Sequence, residues 1–283
     1  MMENTKEQTK VKSRRKFKLS FSRKQLCIPY ALFLAMFVVF PLLLVAYYAF
    51  TDANGNVSMS NFIAFFTDTT RISTLLISII VALVVTLICL LIAYPVAYIL
   101  SKMSSKIAFT LLLLFIMPMW INFVLRAMAM KELLSLIGIP LGSTASIIGL
   151  VYDYLPFMIL PLYSTLIKMD NSLKEAAHDL GAGSVRVFTK ITLPLSFGGI
   201  LSGAMMVFLP VMSCYVITDA FSGSTGFTVI GKLIAWCFLG ENGARLDING
   251  GATISLVMLV ILFLSMLATG GFKSNDNARG TNL

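Results

Sequence analysis

Six long apolar runs, separated by polar or glycine-rich stretches, set the order of this chain; they cover residues 28–50, 72–100, 107–125, 147–167, 195–220 and 250–271. About 20 apolar residues in a row suffice to cross a bilayer as a helix, so each run predicts a transmembrane helix. Tyr94-Pro95 near the end of the second run predicts a tilt or kink there. The third run holds Pro118, Trp120 and Asn122, and the fourth holds Asp153, Pro156 and Pro161. The fifth opens with Gly198, Gly199 and Gly203, and the Gly199-x-x-x-Gly203 spacing permits close helix approach. The predicted class is all-α and integral to the membrane, with six transmembrane helices.

Three of the intervening stretches carry patterns of their own. In 51–71, Phe62, Phe65 and Phe66 predict an interfacial turn of helix. In 126–146, Met128, Leu133, Leu134 and Ile137 predict a short amphipathic helix lying along the surface. The polar segment 168–194 alternates Asp170, Glu175 and Asp179 with Lys168, Lys174, Arg186 and Lys190. Ser172-Leu173-Lys174-Glu175 fits a capping box, with the Ser172 hydroxyl meeting the Glu175 amide. Leu173, Ala176, Ala177 and Leu180 then repeat at helical spacing, and Gly181 suits a left-handed stop. Ser184 can cap a second helix with Val185, Phe188 and Ile191 apolar, and Pro194 suits the first turn of the next span. Two readings fit these facts: a docking surface for another protein, or a connector whose apolar face rests on the membrane.

Composition agrees with the pattern. Hydrophobic residues make up 58% and charged residues 12% of the 283, with a mean hydropathy of +0.88, which excludes an ordinary soluble domain. The net charge of +9 is concentrated: nine of the 22 basic residues precede position 28. A basic tail before a span is a topology signal and a lipid-headgroup contact, and it argues against nucleic acid as a partner. With the N-terminus inside, inner segments hold 17 basic residues and outer segments 5. That asymmetry predicts both termini, and the 168–194 loop, in the cytoplasm. The organisation is then a basic tail (1–27), a six-span domain (28–271) and a short tail (272–283). The N-terminus is too long, polar and basic for an ordinary cleaved signal peptide.

Catalytic and metal chemistry find no support. Cys27, Cys89, Cys214 and Cys237 form no C-x-x-C pair, and the single histidine, His178, sits in a loop. Neither a metal site nor a nucleophile–base constellation is indicated. Gly226 to Lys232 matches G-x-x-x-x-G-K, but Leu233 follows where a phosphate loop needs a hydroxyl, and the segment is predicted outside. Any nucleotide must therefore be bound by another chain.

Glu175-Ala176-Ala177, three residues, Gly181, nine residues, then Ile191-Thr192-Leu193-Pro194 resembles the EAA loop of ABC-importer permeases. The resemblance implies a type I (MetI-like) permease fold. In that fold the loop inserts a coupling helix into a cytoplasmic ATPase, here through Glu175, Ala176, Ala177, Asp179 and Gly181. It implies a second homologous permease, two ATP-binding subunits that carry ATP and Mg, and an extracytoplasmic binding protein. No cofactor is implied in this chain, and its location would be the cell membrane of a prokaryote. Ile148 to Tyr152, Leu155 to Met158, Pro161 to Ser164, Glu175 to Ala182, and Pro118-x-Trp120-x-Asn122 with Arg126 are similar to the spermidine/putrescine branch of that family. This implies polyamine transport and a polyamine-binding partner. The sequence departs at Asp153, where an apolar residue is expected, and in 221–249, which matches only around Gly231, Ile234 and Phe238.

Candidate pathway residues follow from depth. Asp153 lies six residues past Ile147, about 9 Å inside at 1.5 Å per residue, and Trp120 about 7.5 Å inside. Asn122, Tyr152 and Tyr154 share that region, and Asp219 sits at the outer end of the fifth run. Carboxylates and aromatic faces suit a chain of ammonium groups. Asp153 is read either as a substrate contact or as the partner of Arg126, and Trp120 either as a ligand contact or as an interfacial anchor. Other functional classes are an importer for another small cation or organic solute, an ion-gradient transporter, and a membrane-embedded enzyme. The last two lack the carboxylate relays or reactive clusters they require.

Overall fold

The computed structural model describes residues 23–52, 54–221, 226–240 and 246–280, with side chains from Ile28 to Leu267 within those ranges. Most of the basic tail, the last residues and Arg245 lie outside them. Among the described residues every regular element is helical, and one isolated bridge, Thr51 with Val57, closes a turn. The chain divides into two units, Met1–Leu44 and Val45–Leu283.

In the first unit, α1 (Arg23–Leu34) runs through a π turn at Ala35–Val39 into α2 (Phe40–Ala49). Every side chain from Ile28 to Leu44 is exposed, although nearly all are apolar. Such a helix belongs in hydrocarbon, where it can satisfy its own backbone.

The second unit is built on three helices. α3 (Ser60–Thr67) leads into α4 (Thr69–Lys102), which continues unbroken through Pro95. α4 packs against α7 (Ser143–Ile167) and α11 (Phe197–Ser213), and these two pack on each other. The buried stripe of α4 is Ser78, Ala82, Val85, Cys89, Ala93 and Ala97, which repeats at three or four residues with small side chains. Its outward face is Leu76, Ile80, Leu83, Leu87 and Leu91. Small residues inside and large apolar ones outside is the arrangement lipid favours, because helix contact there is driven by close packing. The Gly199 and Gly203 expectation takes physical form at this contact. A Cβ on Gly199 would sit 2.6 Å from Thr165 Oγ1, and one on Gly203 2.7 Å from Met158 Sδ.

Four expectations are corrected. The third apolar run is not one helix: α5 (Ser105–Ile116) passes through a 3-10 turn at Met117–Trp120 and stops at Ile121, whose ψ of 142° is extended. α6 (Phe123–Leu136) then leaves at 99° to the preceding pair. The surface helix expected from Met128 onward therefore starts earlier, and it buries Ala127 and Leu134 against its neighbours. The fifth run is interrupted too, because Cys214 is extended between α11 and α12 (Tyr215–Phe221). Phe65 is fully buried in the protein, so α3 is more than an interfacial turn.

Outer elements tie the core together. α13 (Ile230–Leu239) begins with Ile230 N–H donating to Ser78 Oγ at 2.7 Å. A Cβ on Gly231 would fall 2.1 Å from the Ser213 carbonyl, so this glycine of the G-x-x-x-x-G-K match serves helix contact. Lys232 pairs with Asp219 and lies over the Trp236 ring. α14 (Ile248–Gly280) opens with Asp247 Oδ1 accepting from Gly250 N–H at 2.9 Å, and Arg71 pairs with Asp247 at 3.6 Å.

Candidate functional site

Two places carry chemistry that the packing does not require. The first is the segment after α7. α8 (Ser172–Asp179) starts without the expected capping box: Asp170 Oδ1 accepts from Ser172 N–H at 2.9 Å, and Ser172 is already helical. The Asp170 carboxylate suits the positive end of the helix, and the Glu175 N–H that the Ser172 hydroxyl was expected to meet donates instead to the Asn171 carbonyl at 3.0 Å. That hydrogen bond holds the Asp170 carboxyl below its usual range. At the other end Gly181 has φ +78°; its N–H donates to His178 O at 2.9 Å and Ala182 N–H donates to Ala177 O at 3.0 Å. This paired closure is the Schellman stop the glycine predicted.

The stop turns the chain so that large aliphatic groups face outward. Leu180 is 89% exposed and Val185 78%. Glu175, Ala176, Asp179 and Gly181 are exposed beside them, and Ala177 is half-buried. α9 (Ser184–Val187) has no side-chain cap from Ser184; it continues through a π turn at Phe188–Thr192 into α10 (Leu193–Leu195). Pro194 therefore sits at the end of that helix, which meets α11 at 61°. The inner face of this segment is anchored. The Phe188 ring stands edge-on to Tyr94 at 5.7 Å and Tyr98 at 5.6 Å, and Tyr94 Oη is 2.9 Å from Ser196 Oγ. One side of the segment is thus clamped to α4 and the other is bare.

The second place is the break after α5. Asn122 Oδ1 accepts from Val124 N–H at 2.9 Å and starts α6. Arg126, one turn on, donates from Nη1 to the Pro118 carbonyl at 3.1 Å and from Nε to Asp153 Oδ1. The ion pair is deeply buried, with side-chain exposures of 9% and 3%. Asp153 is ten residues into α7, about 15 Å along it, deeper than the sequence suggested because α7 begins at Ser143. A cavity of about 240 Å³ adjoins the pair, lined by Met119, Phe123, Arg126, Asp153, Tyr154 and Phe157. Tyr154 also reaches Cys214, where the fifth run is interrupted.

The structure brings Asp153 and Tyr154 to this cavity and leaves the other candidates out of its lining. Trp120 is 83% exposed, Asn122 is a helix cap, Tyr152 points to a more exposed face, and Asp219 is held by Lys232. Sequence reasoning missed Met119, Phe123 and Phe157, whose apolar character hid them among lipid-facing residues. Arg126 was in view as a partner for Asp153 and as part of the Pro118-x-Trp120-x-Asn122 resemblance, without a pathway role. A lone arginine beside an Asn-capped helix start was the available signal for it.

Residues 91–273 match the family described as binding-protein-dependent transport system inner membrane component. The match covers well over half of the chain, and the chain belongs to that family; it is a multi-pass protein of the cell membrane. Over 174 residues it is 36% identical to the spermidine/putrescine transport system permease protein PotB of Escherichia coli (strain K12), covering 56% of this chain and 62% of that protein. The corresponding Haemophilus influenzae protein is also 36% identical, over 54% of this chain and 60% of its own length. The chain thus spans less than two thirds of the curated relatives it matches. Among solved structures, a bacterial ABC transporter involved in the import of the acidic polysaccharide alginate superposes with a TM-score of 0.64 at 20% identity, covering 87% of this chain and 94% of that one. The MetNI methionine ABC transporter gives 0.55 at 17% identity, covering 71% and 93%. These likenesses establish the ABC-importer permease fold.

Proposed function

We propose that this chain is the permease subunit of an ATP-driven importer of polyamines of the spermidine/putrescine class. The observation that carries the reading is the segment around α8: a stop at Gly181 that leaves Leu180 and Val185 bare on one side, and an aromatic clamp to α4 on the other. A bare aliphatic face beside Glu175-Ala176-Ala177 suits insertion into a cleft on an ATPase, and the clamp passes the resulting motion to α4. The similarity to spermidine/putrescine permeases supports the cargo.

In this reading each bent helix pair counts as one span, which brings the four uninterrupted spans among the described residues to six. The basic-residue asymmetry sets both termini in the cytoplasm. A second permease completes the pathway, an extracytoplasmic binding protein delivers polyamine, and two ATPase subunits bind ATP and Mg and do the hydrolysis. This chain performs no covalent chemistry. Asp153, present where similar permeases are expected to be apolar, favours as a second reading a different cationic solute within the same mechanism.

The test is uptake of labelled spermidine and putrescine by vesicles containing the assembled importer. Uptake is expected only with ATP and the ATPase subunits present. Uptake by this chain alone, without ATP, defeats the mechanism.

A further inference from the structure

We propose that Asp153 Oδ2 is an ammonium-accepting point on the transport pathway, and that Arg126 on Oδ1 tempers its hold on a cation. The inference rests on the polyamine reading above and adds a place and a division of labour to it.

A carboxylate offers two oxygens, and the fold uses one. Arg126 Nε occupies Oδ1, while among the described residues no donor meets Oδ2, although Asp153 is only 2% exposed. Buried polar atoms are almost always partnered, so an orphan oxygen marks a place where the partner is something else. The surroundings specify what. Asp153 lines the cavity of about 240 Å³ together with the rings of Phe123, Tyr154 and Phe157. Aromatic faces around a carboxylate favour a compact cation on an aliphatic stem, which is the end of a polyamine. Both neighbouring helical runs are interrupted here: one at Ile121, joined to Asp153 through Arg126, and one at Cys214, joined through Tyr154. Discontinuous helices at one level are how membrane transporters build cargo sites.

Arg126 answers the problem an isolated carboxylate would create. In a low dielectric a bare Asp153 would hold a cation so strongly that it would not leave. A pathway site must bind well enough to admit the ion and weakly enough to release it. The guanidinium, itself held back by the Pro118 carbonyl, cancels part of the attraction without blocking Oδ2. Oδ2 is sealed from solvent in this structure, so a cation would meet it only once α6 and α7 part.

The two halves of the pair therefore have opposite effects on cargo affinity. In vesicles carrying the whole importer, Asp153→Asn should raise the KM for spermidine roughly tenfold. Arg126→Gln should lower that KM by about fivefold and lower the maximal rate with it. A purely structural ion pair predicts less assembled protein from both variants with KM unchanged, and that result overturns the proposal. If either neutral variant fails to assemble, Asp153→Glu keeps the charge and moves it by one methylene. A changed ratio of spermidine to putrescine KM then supports the site, and an unchanged ratio overturns it. Failure of the unaltered importer to take up either polyamine removes the polyamine reading itself, which is a separate outcome.

Discussion

The two bent helix pairs solve the same problem with different chemistry. At the 99° bend the exposed backbone is stitched by charge, with Arg126 reaching both the Pro118 carbonyl and Asp153. At the 61° bend the stitches are neutral: Ser196 Oγ donates to Leu193 O at 2.9 Å and meets the Tyr94 hydroxyl, while Phe188 wedges between two tyrosine rings. A buried ion pair is strong only while both members are present, whereas aromatic contacts weaken by degrees. The contrast fits the roles proposed above, a first bend sensitive to a charge arriving beside it and a second that passes motion to α4.

Breaking each bend should show that contrast. The largest effect is expected from Asp153→Leu, which leaves a buried guanidinium unpaired and should destabilise the protein by about 3–5 kcal/mol. The double variant Arg126→Met with Asp153→Leu should recover most of that loss, and thermal unfolding in detergent checks both. A double variant no more stable than the single would remove charge as the reason. Phe188→Ala should be milder in stability, by roughly 1–3 kcal/mol, yet severe in coupling. ATP hydrolysis by the assembled importer should persist while uptake falls, and parallel loss of both would show that the clamp does not transmit force. Gly181→Val places a β-branched residue at φ +78° and should cost about 1–2 kcal/mol at the α8 stop, with weakened association of the ATPase read by co-purification.

Much of this was legible beforehand, and the misses share a cause. Apolar runs announced the spans, and the Glu175 to Pro194 spacing announced the loop, because length and fixed spacing survive in one dimension. The interruptions at Ile121 and Cys214 did not announce themselves. Pro118, Asn122 and Cys214 can each be carried inside a membrane helix if neighbours satisfy the backbone, and Arg126 becomes that neighbour only after folding. The start of α8 failed for a smaller reason. The helix already includes Ser172, so Asp170 caps the Ser172 amide while the Glu175 amide is taken by the Asn171 carbonyl, a start one residue earlier than a serine cap requires.

The Asp170 cap supplies the smallest prediction. Because its hydrogen bond to Ser172 lowers the Asp170 pKa in the folded protein, its contribution is fully present above the ordinary carboxylate range and fades as pH falls through the lowered value. Protection of the amides at the start of α8, relative to their intrinsic exchange, should therefore fall only once the pH drops below the ordinary carboxylate range. Asp170→Asn should flatten that response, and a response that survives the substitution would place its origin elsewhere.

Leu180 and Val185 have a consequence for the life of the protein in the cell. In the proposed assembly, a copy that reaches the membrane ahead of its ATPase would carry these two aliphatic side chains uncovered, and such groups are what quality-control proteases recognise. Docking as proposed above would hide them. The supply of the covering subunit would then set how much of this chain accumulates, and removing the ATPase subunit should lower its level in membranes.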